Sequence, residues 1–337
     1  MSIRNPVSLG RFYSADANLL AAQVDACYCH PLGPDLYCDD DSLTAVYDEP
    51  LALIVPHGAL GHSGPVAAHA YRHLAIWGTK RLASQPLLVI IGPDHFGYGA
   101  AVSATYQDYA SPHGVMPTHH EIVNELCILA EKHGQTNIVR DAPDGHNSEH
   151  SVENQLPFIQ RLVAKQHLSS SVRIFPLTMA AQDVTTALSL SWLLDQVLPR
   201  EDVMLIATSD MAHCGAIYGN LPPTTDGGMD ISAWCRQQAA STIQAICSLS
   251  PHELIASKCR NNLSLCGAGC VAAAVAFARL RGATRCRLLS VSDSVAVANG
   301  WHQTIGPSGS IRQDIDCGTL SLVDAFNPVS FAALLLN

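Results

Sequence analysis

Short apolar runs without alternation constrain this chain most. Leu51–Val55 reads LALIV, Leu87–Ile91 reads LLVII and Val203–Ala207 reads VMLIA; Val172–Leu177 is similar and Arg287–Val291 a weaker version. A strand with one wet face alternates apolar and polar residues, whereas a run apolar at every position suits a strand covered on both faces. Helical segments lie between the runs: Gly64–Trp77, His119–Lys132, Ser151–Val163, Val184–Val197, Ile231–Cys247 and Gly267–Leu280. This alternation predicts an α/β fold, with an open, mostly parallel or mixed sheet and helices on both faces. With 337 residues and 48% hydrophobic content the chain can bury a large core. No repeat, low-complexity tract or long linker divides it, so one domain over residues 1–337 is expected. Cys27–Asp48, rich in Asp, Pro and Cys, reads as a surface insertion, and Leu221–Met229 as a loop.

Charge and cysteine usage exclude several classes. The net charge of −10 argues against a nucleic-acid partner or a polybasic membrane patch. No apolar stretch reaches the roughly 18–20 residues of a membrane span. The opening Met1–Ser14 lacks the apolar region of a secretory signal. A cytoplasmic location is expected, where twelve cysteines stay reduced and serve packing, metal ligation or catalysis. Only 14% of residues are charged, a hint of a homo-oligomer, since buried interfaces deplete charge.

In open α/β sheets ligands bind beyond the carboxyl ends of the strands. After LALIV comes Pro56-His57-Gly58; after LLVII, Gly92-Pro93-Asp94-His95; after VMLIA, Thr208-Ser209-Asp210-Met211-Ala212-His213. Three such histidines, two with an aspartate nearby, point to one shared crevice. Cys266-Gly267 opens a predicted helix, where the dipole and free N–H groups stabilise a thiolate; the plainer reading is a small buried cysteine. His150 and Glu153, three apart, share a face if helical and then hold or orient a metal, or else Glu153 caps a helix start. Other histidines and cysteines fit simpler roles: His62, His69 and His73 a polar helix face, Cys270 packing. His119-His120 either reach the cleft from a loop or do not. Cys27, Cys29, His30 and Cys38 match no standard zinc spacing and read as a loop with free thiols. Neither a P-loop nor a G-x-G-x-x-G is present.

Together these segments resemble the Memo family, named for a mediator of cell motility. Its bacterial members are described as component B of a system with an AMMECR-like and a radical-SAM protein. The match runs in order from Gly10-Arg11-Phe12-Tyr13-Ser14-Ala15-Asp16 through Val55-Pro56-His57, Ala67-Ala68-His69-Ala70-Tyr71 and Ile91-Gly92-Pro93-Asp94-His95. It continues with His150-Ser151-Val152-Glu153-Asn154-Gln155-Leu156-Pro157-Phe158, Ser209-Asp210-Met211-Ala212-His213 and Cys266-Gly267. The resemblance implies a fold like the class III extradiol dioxygenases (LigB-like). It also implies metal ligands at His57, His95 and Cys266, an acid/base at His213, and Asp210 and Glu153 as catalytic or supporting carboxylates. His150 and Asp94 would stand in the surrounding cleft. Leu60 replaces the family's tyrosine and Cys270 its usual proline, so the surroundings of the ligands are altered.

Two imidazoles and an anionic ligand leave open metal positions; with a carboxylate this is the facial triad of non-heme iron(II) oxygenases, and here the anion would be a thiolate, so iron(II) is the expected metal with copper or zinc as alternatives. The expected function is a metal-dependent, dioxygenase-like oxidoreductase. The alternatives are a non-catalytic protein binding a peptide or small molecule in the cleft, and a zinc hydrolase.

Overall fold

The apolar runs form the middle of one sheet. The computed structural model describes residues 2–35, 49–223, 230–301 and 327–337. The first half holds β1 (Ile3–Arg4), α1 (Ala17–Cys29), β2 (Ala52–Val55), α2 (Leu60–Thr79), β3 (Leu87–Pro93), β4 (Val102–Ala104), β5 (Asp108–Ser111), β6 (Gly114–Met116), α3 (His120–Lys132), β7 (Val139–Asp141), α4 (Asp144–Asn147) and α5 (Leu156–Ala164). Then follow β8 (Arg173–Met179), α6 (Val184–Val197), β9 (Val203–Thr208), β10 (Ala212–His213), α7 (Ile231–Cys247), α8 (Pro251–Arg260), α9 (Ala268–Leu280), β11 (Cys286–Asp293), α10 (Ser294–Trp301) and β12 (Val329–Leu336).

Nine strands make the main sheet, in the order β10-β12-β2-β9-β3-β8-β4-β7, with β11 also on β12. The centre β2-β9-β3-β8 is parallel. Antiparallel pairs of β12 with β2 and of β4 with β8 flank it, so the sheet is mixed. A second, three-stranded sheet joins β1, β5 and β6.

Alternate residues of each central strand enter different cores. Ile54, Val89, Ile91 and Leu205 pack with α3, α6 and α9 residues such as Leu126, Leu190 and Val271. Leu53, Val55, Leu88, Ile90 and Ile206 pack on the other face with Leu20 and Val24 of α1, Tyr71 and Leu74 of α2, and Phe158 of α5. Both cores need an apolar side chain, which is why these strands read as continuous runs.

Local signals set several helix starts. Asp16, Asp183, Asp230 and Ser250 each accept a backbone N–H from the first turn of the helix that follows. The capped α1 corrects the expected insertion at 27–48: Cys27 and Cys29 close this helix, and Cys27 and His30 are buried. The remainder, including Cys38, falls on residues 36–48, outside those described, as does most of the Leu221–Met229 loop. The helix expected over Ser151–Val163 starts later, with a single 3-10 turn at Glu153–Gln155 leading into α5. Among the described residues no helix is long and apolar enough to cross a membrane.

Candidate metal centre

The carboxyl ends of β2, β3 and β9 lie side by side and deliver the site. His57 follows β2, His95 follows β3 by two residues, and Asp210 follows β9 by two. The end of β9 also supplies Thr208, whose hydroxyl lies 2.6 Å from His57 Nδ1. The His57 backbone is held as well: its N–H donates to Asp210 Oδ1 at 3.1 Å, and its carbonyl accepts from Asn154 Nδ2 at 2.7 Å. His57 is almost wholly buried, and its pKa falls well below the usual value, through burial first and then the neighbouring His95 and His150.

Glu149 organises the other two histidines. Its carboxylate accepts the backbone N–H groups of His95, His150 and Ser151 at 2.6, 2.7 and 2.8 Å. The same carboxylate lies 3.0 Å from His95 Nδ1 and 3.2 Å from His150 Nδ1. The His95 and His150 rings stack with centroids 4.8 Å apart, and His57 meets both edge-on. One ring nitrogen from each of His57, His95 and His150 lies within 4.8 Å of the others. Burial alone would raise the Glu149 carboxyl, but the hydrogen bond and charge of His95 pull it down to about 2. Burial would likewise lower His95, yet hydrogen bonds to Cys266 and Glu149 push it up to about 10. A metal held here would compete with that proton.

Cys266 stands beside the group, just ahead of α9. Its Sγ is 3.3 Å from His57 Nε2 and accepts the Asp210 N–H at 3.3 Å. Gly267 permits this approach: a Cβ there would lie 2.5 Å from the Thr208 carbonyl oxygen and 2.9 Å from Ser209 Cβ. Asp210 Oδ2 stands between His57 Nε2, at 4.0 Å, and His213 Nε2, at 3.8 Å. Burial raises the Asp210 carboxyl against the pull of His213. His213 is partly open to solvent and directs Nδ1 to the Ser264 carbonyl at 3.1 Å.

The donor set fits a transition metal. The Nδ1 of each of the three histidines faces an oxygen partner, which leaves Nε2 as the coordinating nitrogen, the usual arrangement around a ligating imidazole. A thiol beside three imidazoles suits iron, copper or zinc more than magnesium or calcium.

Of the residues expected from the sequence, His57, His95, His150, Asp210, His213 and Cys266 are brought together. Glu153, expected as a catalytic carboxylate, is turned to another task. It receives Arg4 Nη1 at 2.5 Å, the Tyr13 hydroxyl at 2.6 Å and the N–H groups of Val7 and Ser8 at 2.9 Å, so its oxygens are taken up in fastening the N-terminal segment. Asp94 shapes the loop that presents His95, accepting the N–H groups of Phe96, Gly97 and Gly99. His119 and His120 pair with Glu121 and Asp108 instead. Glu149 lies outside the segments singled out above, although it directly precedes His150, and Thr208 stands in the segment after VMLIA with nothing local to mark it as the partner of His57.

Fold and site together define an α/β protein with a cluster of three histidines able to hold a metal ion at its strand ends, and Cys266 beside it. The family model described as Memo-like protein matches residues 4–310, and the chain belongs to that family. It is 31% identical over 311 residues to a MEMO1 family protein of Methanopyrus kandleri, covering 90% of this chain and 96% of the relative. A MEMO1 family protein of Methanococcus vannielii is 28% identical over 306 residues, covering 90% and 97%. Another, from Methanocaldococcus jannaschii, is 27% identical over 313 residues, covering 92% and 98%. Among solved structures, an uncharacterized protein from Escherichia coli K12 aligns over 85% of this chain and 99% of its own, with a TM-score of 0.45 and 11% identity, too loose a likeness to bear on fold or function.

Proposed function

We propose that this chain is a metal-dependent, dioxygenase-like oxidoreductase whose centre is held by His57, His95 and Cys266, with His150 as a further donor. The observation that carries this reading is the locked imidazoles: each Nδ1 has an oxygen partner, and Cys266 Sγ lies 3.3 Å from His57 Nε2. Iron(II) bound to these donors supplies positions for dioxygen and substrate together with a change of oxidation state. The protein's own groups do the rest. His213 donates Nδ1–H to the Ser264 carbonyl, which leaves Nε2 as the basic nitrogen to take a proton from a substrate hydroxyl. Asp210 lies beside both His213 and His57, with Oδ2 3.8 Å from His213 Nε2 and 4.0 Å from His57 Nε2.

Anaerobic purification with metal analysis, then iron(II) reconstitution and oxygen uptake with a catechol panel, tests this. The expected result is one metal per chain and uptake that needs both iron and a panel member. Cys266→Ser should lose most of the metal; full occupancy in that variant would remove the thiolate from the ligand set. Metal-dependent hydrolysis equal with zinc and without oxygen would point to a hydrolase instead.

A second reading is a binding protein that captures a peptide or small molecule in the same cleft. It is favoured by the exposed apolar residues beside the site. Phe96 and Tyr98 follow His95, stack at 5.6 Å and are 52% and 64% exposed, while Ile217 and Tyr218 are exposed near His213. A bound metal with no turnover on any substrate would select this reading.

A further inference from the structure

Cys247 ends α7 and Cys286 begins β11, 39 positions apart in the chain. Their sulfurs are 3.2 Å apart and both thiols are free. Cys247 is exposed, so a small oxidant reaches it from solvent; Cys286 is half-buried beneath it and packs against the core. Both stand at element ends, Cys247 as the last residue of α7 and Cys286 as the first of β11, where it pairs with Leu336. Beyond α7 the chain turns through Leu249 at a φ of +53°, and ahead of β11 it turns through Gly282 at +102°. A disulfide needs about 2.05 Å between sulfurs, so the ends of α7 and β11 have about an ångström to close.

We propose that Cys247 and Cys286 form a peroxide-sensitive dithiol that closes reversibly to a disulfide. The Cys247 thiolate attacks one oxygen of hydrogen peroxide. The S–O bond forms as the O–O bond breaks, and the departing hydroxide takes up the thiol's proton as water. The Cys286 sulfur then attacks the sulfenic sulfur of Cys247. The S–S bond forms, the S–O bond breaks, and the hydroxyl leaves with the Cys286 proton as a second water. Two thiols and one peroxide become one disulfide and two waters, with two electrons passing from sulfur to oxygen. The hydrogen bond from Cys286 supports the first step, since it lowers Cys247 to about 7 against the opposing effect of burial. The resulting loop encloses α8, Cys266 and α9, so the bond ties down the segment that carries the thiol of the candidate metal centre.

A second cysteine pair serves as an internal control. Cys214 and Cys235 are also neighbours, but both are buried and out of reach of solvent. The test treats the full chain with stoichiometric hydrogen peroxide, blocks remaining thiols and maps peptides without reduction. The expected result is a Cys247–Cys286 linked peptide, reversed by dithiothreitol, with Cys214 and Cys235 still alkylated as thiols. In Cys286→Ser the linked peptide disappears, and a sulfenic acid at Cys247 is trapped by dimedone. In Cys247→Ser, an exposed site where the change leaves packing intact, Cys286 stays a thiol. Recovery of both Cys247 and Cys286 as free thiols from the oxidised wild-type chain would overturn the proposal. So would oxidation of Cys286 at an undiminished rate in Cys247→Ser.

Discussion

Glu149 joins the histidine cluster to the backbone that carries it. Its carboxylate meets three N–H groups and two imidazoles, so Glu149→Gln keeps the shape and removes the charge that orients His95 and His150. Metal affinity should fall roughly 10–100-fold, the cost of losing an outer partner of a ligating histidine. Chelator competition reads this directly, and an unchanged affinity would mean that other contacts hold the rings. His146 gives a pH-dependent test. It is fully buried, accepts the Tyr109 hydroxyl at Nδ1 and meets the Ser103 carbonyl with Nε2. Burial, aided by Arg4, lowers it from 6.5 to about 3. The unfolded chain therefore binds a proton below about pH 6.5 that the folded chain refuses, and stability falls with decreasing pH by about 1.4 kcal/mol per unit down to about pH 3. Denaturant unfolding between pH 7 and 4 should show a slope shallower by that amount in His146→Gln. The site was partly legible in the sequence because His57, His95, Asp210 and Cys266 each follow an apolar run or open a helix. Glu149 was hidden because its main partner lies 54 positions away. Glu153 was misread because a shared face with His150 needs a helix between them, and the helical turn begins only at Glu153 itself.

The N-terminal segment reaches the candidate centre from behind. Arg4 of β1 is buried, binds Glu153, and donates to the His146 and Glu149 carbonyls at the start of the turn that presents His150. Arg4→Met strands a buried carboxylate and should cost about 3–5 kcal/mol in urea unfolding. Arg4→Met combined with Glu153→Met should cost less than the two single changes added together, and a double loss equal to that sum would deny the coupling. The junction of β9 with α9 is as tight. Gly267→Ala places a methyl against the Thr208 carbonyl, so α9 must shift at an overpacking cost of about 1–3 kcal/mol. Metal retention should drop with it, because Cys266 moves too; unfolding curves and metal content measured on one preparation check both. Most large elements were legible: β2, β3, β8 and β9 as apolar runs, and α6 and α7 at the bounds expected. α8 carries a readable start in Ser250, Pro251 and Glu253 that was passed over. β4, β7 and β10 are two or three residues long and exist only through pairing with neighbours, so no local pattern announces them.

At the scale of the whole molecule, the last described strand decides whether the sheet closes. β12 lies outside the stretch matched by the family model, yet it pairs with β2, β10 and β11 together. Its Ala332 and Leu334 enter one core and Phe331, Ala333 and Leu335 the other. A chain ending at residue 326 should lose cooperative unfolding, read by circular dichroism during urea titration, even though every candidate ligand is retained. This strand also gives the protein a timetable. Between Trp301 and Leu336 the ribosome adds 35 residues, which takes roughly 2–7 s at the usual pace of synthesis. Until β12 has emerged and docked, β2 and, once it has left the ribosome, β11 lack the strand that pairs with both, and such an edge can pair with another chain. A translational pause in this stretch therefore lengthens the period in which nascent copies can pair with each other instead of with their own β12.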